Sequence, residues 1–178
     1  IFFVEKNMEC LGKTKLMKLM YFADKKHLEK YGRVVFYDDY RKLPRGPVAS
    51  LTLNIISNTD AREGDDLKLY VDSFLNLVDL QKVKNKETNS ITKFIPKTAF
   101  NNSLFSKSEL EIMENISKEY KNYTKEKISE ESHLLKEYKN TEMNDFINIY
   151  DMTENKDLKD YLSYWKNEHK EFNNMLSI

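Results

Sequence analysis

The segment 13–31 constrains the fold most, because its apolar residues recur at the three- and four-residue spacing that places them on one face of a helix. The residues on this face are Leu16, Leu19, Met20, Ala23, His27 and Tyr31. Gly12 and Thr14 can open the helix, and Gly32 can end it in the left-handed conformation that glycine adopts at low cost. We therefore predict one amphipathic helix here, with lysines and acids covering its other face.

The N-terminal third is basic, although the whole chain of 178 residues has zero formal net charge. Residues 1–50 hold 11 Lys and Arg against 6 Asp and Glu. A solvated helix face is the expected place for Lys13, Lys18, Lys25, Lys26 and Lys30. A basic patch can bind nucleic-acid phosphates, but acids interleave with this one and no zinc-finger, homeodomain or RNP pattern accompanies it. Nucleic acid is therefore an unfavoured partner, and a nucleic-acid-binding regulator is an alternative function.

The chain after the helix predicts an extended run followed by a rigid turn. Residues 34–37 read Val-Val-Phe-Tyr, which is β-prone. Pro44 and Pro47 flank Arg45 and Gly46, so two fixed φ angles surround one free one. This arrangement favours a turn with a single conformation.

The whole chain is expected to form a single compact domain, mainly α (α+β), with a small antiparallel β-hairpin or sheet. Residues 48–57 predict a second helix. Residues 78–83 and 91–95 predict a hairpin whose tip, 84–90, is too polar for a core. No linker or internal repeat divides the sequence.

Further helices are predicted in the second half of the chain. Ser106 and Glu109 form a capping-box pattern that opens one of them, with a buried stripe at Leu110, Met113, Ile116 and Tyr120. Helical patterns also cover residues 128–138 and 143–150. We assign residues 1–150 to the domain and residues 151–178 to a C-terminal amphipathic helix.

That C-terminal helix has two possible roles. Its apolar residues lie at helical spacing at Leu158, Leu162, Trp165, His169, Phe172 and Leu176. The stripe can pack on the domain's own core, or it can contact a partner through Trp165 and Phe172, because aromatic residues are frequent anchors in interfaces. A homodimer through this segment also stays open.

Three blocks of the sequence carry a family resemblance. The chain reads Lys-Leu-Met-Lys-Leu-Met-Tyr-Phe-Ala-Asp over 15–24, Tyr-Gly-Arg over 31–33 and Leu-Pro-Arg-Gly-Pro-Val-Ala-Ser over 43–50. This pattern resembles the Panacea domain of SocA-like antitoxins, whose members carry a K-L-M-K-L-L-Y-F-A-D helix, a Y-G-R step and an M/L-P-x-G-P-V-x-S turn. Residues 104–111 also resemble the family's later helix entry, and residues 128–133 are similar to its L-S-x-x-T-H segment, so the resemblance covers about residues 1–140. The chain departs from the family at 135–138, near the place where a tryptophan is usual.

The resemblance implies an antitoxin of a bacterial or phage toxin-antitoxin pair. Such a protein binds and blocks a toxin encoded by a neighbouring gene; it is not an enzyme and needs no cofactor. One branch of the family works instead as an adaptor that delivers its toxin to an ATP-dependent protease, and both modes stay open.

We expect the partner-binding surface on the turn and on the exposed edge of the first helix. Its residues are Tyr37, Tyr40, Arg41, Lys42, Pro44, Arg45, Gly46, Pro47 and Ser50. Arg45 and Lys42 would donate to acidic groups at the rim, and Tyr37 and Tyr40 would be anchors. The alternative is that the prolines and the glycine serve to turn the chain.

Asp24, His27 and His133 form the best chemical constellation in the sequence. Three such side chains could bind a metal or relay a proton. The competing interpretation is a structural polar network, in which Asp24 accepts a hydrogen bond from the His27 ring. We favour the polar network and expect no metal, since no nucleophile elbow, phosphate loop, HExxH helix or paired-cysteine site is found in the sequence.

The remaining composition indicates a cytoplasmic protein. No apolar run approaches the roughly 20 residues of a transmembrane helix. With one cysteine, Cys10, no disulfide can form within the chain. Residues 1–4 read like the end of a helix, so we expect further helical residues before Ile1 in the native chain.

Overall fold

The computed structural model describes residues 1–83 and 91–164, and it is mainly helical with two small antiparallel sheets. Its helices are α1 (Phe2–Glu5), α2 (Lys13–Tyr31), α3 (Ser50–Ser57), α4 (Lys68–Leu77), α5 (Lys107–Glu119), α6 (Lys125–Leu134) and α7 (Lys136–Asn140). Residues 156–164 are also helical. The strands are β1 (Tyr40–Leu43), β2 (Gly46–Ala49), β3 (Val78–Val83) and β4 (Ile91–Pro96). This architecture confirms the predicted fold class.

The central element is α2, and it has the predicted bounds. Gly32 follows it in the left-handed conformation, with φ of +74°, and its amide donates to the Leu28 carbonyl at 2.9 Å. The helix packs against α5, β2 and α6. Because neighbours surround it, its burial extends well beyond the predicted single face: Met17, Tyr21 and Phe22 are buried as well.

Two lysines of α2 are buried, and for Lys18 this corrects the expected position on a solvated helix face. Lys15 and Lys18 are both fully buried. The Lys15 ammonium donates to three carbonyl oxygens, those of Glu9 at 2.7 Å, Lys121 at 3.0 Å and Tyr123 at 2.7 Å. These carbonyls replace the hydration that burial removes, because an ammonium has three hydrogens to donate.

The predicted turn joins β1 to β2 as a hairpin, with Pro44 and Arg45 between the paired residues Leu43 and Gly46. The β-prone run at 34–37 is not a strand, which corrects the prediction for that segment. Two of its backbone amides donate instead to the buried carboxylate of Asp24 on α2.

The predicted helix over 143–150 is also absent from the described structure. The backbone there runs along the free edge of β1: the Lys42 amide donates to the Asp145 carbonyl at 2.8 Å, and the Ile147 amide donates to the Tyr40 carbonyl at 2.7 Å. A 3-10 turn follows at Ile149–Met152. Extended pairing with β1 satisfies backbone groups that a helix would otherwise have bonded internally.

The helix predicted over 48–57 begins at Ser50, because residues 48 and 49 belong to β2, and the helical pattern over 128–138 is divided at Leu135 into α6 and α7. The predicted hairpin and capping box are confirmed. β3 and β4 pair from Val78 with Pro96 to Val83 with Ile91; the predicted tip at 84–90 lies outside the described residues. Ser106 and Glu109 make both hydrogen bonds of a capping box at the start of α5. Among the described helices, none is both long enough and apolar enough to cross a membrane.

The described part of the C-terminal segment lies against the domain. Leu158 and Leu162 are partly buried on the core. The Tyr150 hydroxyl donates to the Leu162 carbonyl at 3.3 Å. Trp165 and Phe172, the residues predicted to contact a partner, lie outside the described residues.

Candidate functional site

The β1–β2 hairpin lies close against α2 and α6, and Gly46 permits that approach. Its φ is +97°, a value that side-chain-bearing residues rarely adopt. A Cβ atom placed on Gly46 would lie 2.3 Å from the Ser132 hydroxyl and 2.7 Å from Cε of Lys18. The glycine therefore serves both the turn and the packing of the hairpin.

Lys18 holds the hairpin from the inside. Its ammonium donates to the Pro47 carbonyl at 2.7 Å, and both residues are buried. Burial disfavours the charged form, so the pKa of Lys18 falls from 10.5 to about 7. A buried cation with one backbone partner fixes the position of β2 on α2.

Asp24 holds the segment that leads into the hairpin. Its carboxylate accepts from the Val35 amide at 2.7 Å, the Phe36 amide at 2.9 Å and the Tyr40 hydroxyl at 2.7 Å. Burial raises the pKa of Asp24 to about 6, and the three hydrogen bonds oppose that rise without cancelling it. The carboxylate thus binds backbone amides of the β-prone run, which forms no strand.

Asp24, His27 and His133 take part in separate interactions. The His27 Nδ1 lies 2.6 Å from the Arg33 carbonyl and its Nε2 lies 3.0 Å from the Ser108 hydroxyl. The ring therefore does not donate to Asp24, which corrects the predicted bond. His133 stacks on Tyr138, with ring centroids 4.9 Å apart, and burial lowers its pKa.

The geometry thus gives the metal and proton-relay hypothesis no shared site. Within residues 1–83 and 91–164, no group of three or more His, Cys, Asp or Glu side chains is arranged to hold a metal ion.

Several residues predicted to contact a partner are engaged within the protein. Tyr40 is 4% exposed and bonded to Asp24, so its ring cannot be an external anchor. The Lys42 ammonium donates to the Thr141 carbonyl at 2.7 Å and lies over the Tyr138 ring. Gly46 and Pro47 are buried as well. These four residues hold the hairpin in place.

The other predicted contact residues lie nearer the surface. Tyr37 is 70% exposed, and Pro44 and Arg45 are exposed at the tip of the hairpin. Arg41 is exposed, with its guanidinium 4.5 Å from the centre of the Phe146 ring. Ser50 is half-buried, and its hydroxyl has no hydrogen-bond partner among the described residues.

A groove of about 270 Å³ lies between the hairpin turn, the first turns of α2, and α3. We call it the hairpin groove. Five apolar side chains and one threonine line it together with three cationic residues, and no acidic residue is among them. The lining residues are Lys13, Thr14, Met17, Lys18, Leu43, Pro44, Arg45, Val48 and Leu53. The groove combines an apolar floor with a positive rim.

The buried lysines are the main feature that the sequence prediction missed. Their signal was present, because the run from Lys15 to Asp24 is apolar at most other positions and leaves no polar face of its own. A helix that is apolar nearly all round is buried in a core, and lysines within it must then find internal acceptors. Glu137 was missed too: it accepts from the Tyr21 hydroxyl at 2.7 Å and pairs with Lys25 at 3.0 Å.

Comparison with known proteins gives one match. A family model described as antitoxin SocA-like, Panacea domain, matches residues 16–139. Comparisons with curated proteins and with solved structures returned no match. The matched range runs from α2 to α7 and includes Lys18, Asp24 and the hairpin. The chain therefore belongs to the SocA-like antitoxin family and carries its Panacea domain.

Proposed function

We propose that this protein neutralises a cognate toxin, encoded by a neighbouring gene, by binding it directly. Membership of the antitoxin family supports the general role. The observation that carries the direct-binding mechanism is an exposed hairpin tip, Pro44 and Arg45, anchored from beneath by buried residues of α2. A surface that is fixed before binding loses little conformational entropy when a partner docks.

Rigidity suits an inhibitor that acts by occupancy. An antitoxin that blocks its target must dissociate slowly, and differences in affinity between related complexes lie mostly in the dissociation rate. Lys18 and Asp24 are each fixed by buried hydrogen bonds, one to β2 and one to the segment before β1. These bonds support the proposal that the hairpin needs little rearrangement when a partner binds.

The recognition surface in this proposal consists of the exposed predicted residues and the hairpin groove. Arg45 and Pro44 contribute the tip, and Tyr37 contributes an exposed aromatic ring from the segment before β1. Aromatic and arginine side chains are the commonest contributors of binding energy at protein interfaces. Four inward-facing residues support this surface: Tyr40, Lys42, Gly46 and Pro47.

The mechanism is stoichiometric in this proposal, with no bond made or broken by the antitoxin. Asp24 and His27, the most plausible catalytic groups by residue type, are both buried and hydrogen-bonded to structural partners. We place the protein in the cytoplasm, where a neighbouring toxin would act and where a lone cysteine stays reduced.

Co-expression with each adjacent gene tests the proposal. We expect one neighbour to stop growth when expressed alone, the full chain to restore growth, and a tag on that neighbour to recover both proteins as a stable complex. Absence of any toxic neighbour would contradict the proposal.

The same experiment separates direct neutralisation from proteolytic delivery. Direct binding predicts that growth rescue persists in hosts that lack individual ATP-dependent proteases, with unchanged toxin levels. Rescue that disappears with one protease, accompanied by accumulation of the toxin, would replace direct blocking by the adaptor mechanism.

A further inference from the structure

We infer that the hairpin groove binds a protein segment in which one bulky apolar side chain is adjacent to a carboxylate. Identifying the toxin as the source of this segment rests on the proposed function. The chemistry of the ligand follows from the groove itself, through its size, its floor and its charge.

The volume of the groove favours a side chain over a metabolite. At about 270 Å³ it lies below the roughly 300–1,000 Å³ that is usual for pockets of drug-sized ligands. The hot spots of protein interfaces are small, well-packed sites of this kind that accept one or two side chains.

The floor of the groove favours an apolar group on the ligand. Its apolar lining residues, which we call the floor, are Met17, Leu43, Pro44, Val48 and Leu53. Met17 and Val48 are buried in the core, so the floor is continuous with a packed interior. An aliphatic or aromatic side chain that fills this space removes its own apolar surface and that of the floor from water.

Lys13 and Arg45, which we call the rim of the groove, favour a negative charge on the ligand beside that apolar group. Lys13 contributes to the lining from α2, and Arg45 contributes from the hairpin turn. Among the residues that the structure describes, neither side chain has an ion-pair or hydrogen-bond partner. The lining contains no Asp or Glu that could neutralise them.

The start of α2 adds to the same positive potential. Gly12 is the N-cap residue, so no side chain caps the helix, and the first turn contains no acidic residue. The first amides of a helix carry a partial positive charge that favours a nearby anion. A carboxylate at the rim would therefore meet Lys13, Arg45 and this helix end together.

Nucleic acid fits the groove less well. Phosphates would match the two cations, but a polyanion gains nothing from a floor of Met17, Val48 and Leu53. A peptide segment with an apolar residue next to Asp or Glu matches both parts of the site. Charge complementarity of this type also speeds association and sets the orientation of docking.

A displayed library of random peptides, selected on the immobilised full chain, tests the inference without the toxin. We expect the enriched peptides to share a bulky apolar residue within about two positions of Asp or Glu. Their affinity should fall by roughly tenfold or more in Arg45→Glu, the loss expected for one strong interface contact. It should also fall when salt is raised.

Two variants separate loss of binding from loss of folding. Thr14→Trp places a large side chain at the groove without removing a hydrogen bond among the described residues, and it should block the peptides while the melting temperature is preserved. Arg62→Glu makes the same charge change at an exposed arginine outside the groove, and it should leave the affinity unchanged.

Several results would overturn the inference. The enriched peptides could lack an acidic residue, or they could bind equally well to Thr14→Trp. A short DNA duplex could displace them, or the selection could give no enrichment. Because the selection does not use the toxin, its failure is distinct from a failure of the co-expression experiment, which tests the proposed function.

Discussion

The Lys18 ammonium and the Pro47 carbonyl oxygen lie 2.7 Å apart inside the protein, and this hydrogen bond joins α2 to the β1–β2 hairpin. Lys18 belongs to the Lys-Leu-Met-Lys-Leu-Met run and Pro47 to the Pro-Arg-Gly-Pro turn. The two most recognisable motifs of the sequence are therefore in direct contact in the folded protein. The helix supports the hairpin from the core, while Pro44 and Arg45 at its tip are exposed.

Burial of Lys18 makes the stability of the protein depend on pH in the alkaline range. The pKa of Lys18 is about 7 in the folded protein and 10.5 ordinarily, so the unfolded chain binds more protons between these values. The free energy of unfolding should therefore rise as pH increases from about 7 toward 10.5. Urea titrations at several pH values in this range measure the free energy of unfolding.

Lys18→Met should reduce this dependence, because the variant lacks the titrating ammonium. The variant cannot donate to the Pro47 carbonyl, and an unpaired buried acceptor costs about 1–3 kcal/mol. We expect a loss of that order at alkaline pH, where the wild-type lysine is neutral, and a smaller loss near neutrality. A slope in Lys18→Met equal to that of the wild type would show that another group is responsible.

Gly46→Ala should destabilise the fold by about 2–5 kcal/mol. Its Cβ would lie 2.3 Å from the Ser132 hydroxyl, and its φ of +97° is strained for alanine. Gly64→Ala is a matched control, because Gly64 has φ of +94° with nothing within 4 Å of an added Cβ. That variant should lose about 1–2 kcal/mol from backbone strain alone. Equal losses in the two variants, measured by chemical denaturation, would argue against close packing at Gly46.

Asp24→Asn should change the pH dependence of stability in the acidic range. The pKa of Asp24 is raised from 3.8 to about 6, so the folded protein binds more protons than the unfolded chain between these values. This group therefore makes the free energy of unfolding fall as pH rises from about 4 to 6. The wild type should lose stability relative to Asp24→Asn over this interval. A difference that is constant with pH would contradict the assignment.

Arg45→Glu should weaken toxin binding while the melting temperature stays within about one or two degrees. The residue is exposed, and its side chain has no partner among the described residues, so its loss removes no internal contact. Calorimetric titration with the toxin measures the affinity, and Arg62→Glu is the matched control. If Arg45→Glu unfolds instead, the role of the turn is purely structural.

Local features of the fold could be predicted because local residues determine them. Gly32 sets the end of α2, Ser106 and Glu109 set the start of α5, and the two prolines set the turn. Each of these signals acts within about four residues of the chain. The bounds of α2 followed from them without knowledge of its neighbours.

Two wrong predictions involve partners from other elements of the fold. Residues 34–37 were expected as an extended, β-prone run, but the amides of Val35 and Phe36 donate to Asp24 of α2. Residues 143–150 were expected as a helix, but β1 pairs with their backbone. Periodicity does not show such long-range hydrogen bonds.

The exposure of the residues proposed for binding could be predicted only in part. The prolines predicted the turn, where Arg45 is exposed, and Tyr37 is exposed in the segment before β1. Whether each remaining residue faces solvent depends on contacts with other elements. Tyr40 and Lys42 face inward because Asp24 and Thr141 accept their hydrogen bonds.

Amide hydrogen exchange of the chain, free and in complex with the toxin from the neighbouring gene, tests the central claim most directly. Binding through the hairpin should slow exchange in the stretch Leu43–Gly46 and in the first turn of α2, while β3 and β4 stay unchanged. Protection confined to other elements, with exchange at the hairpin and at the start of α2 the same in both states, would contradict it.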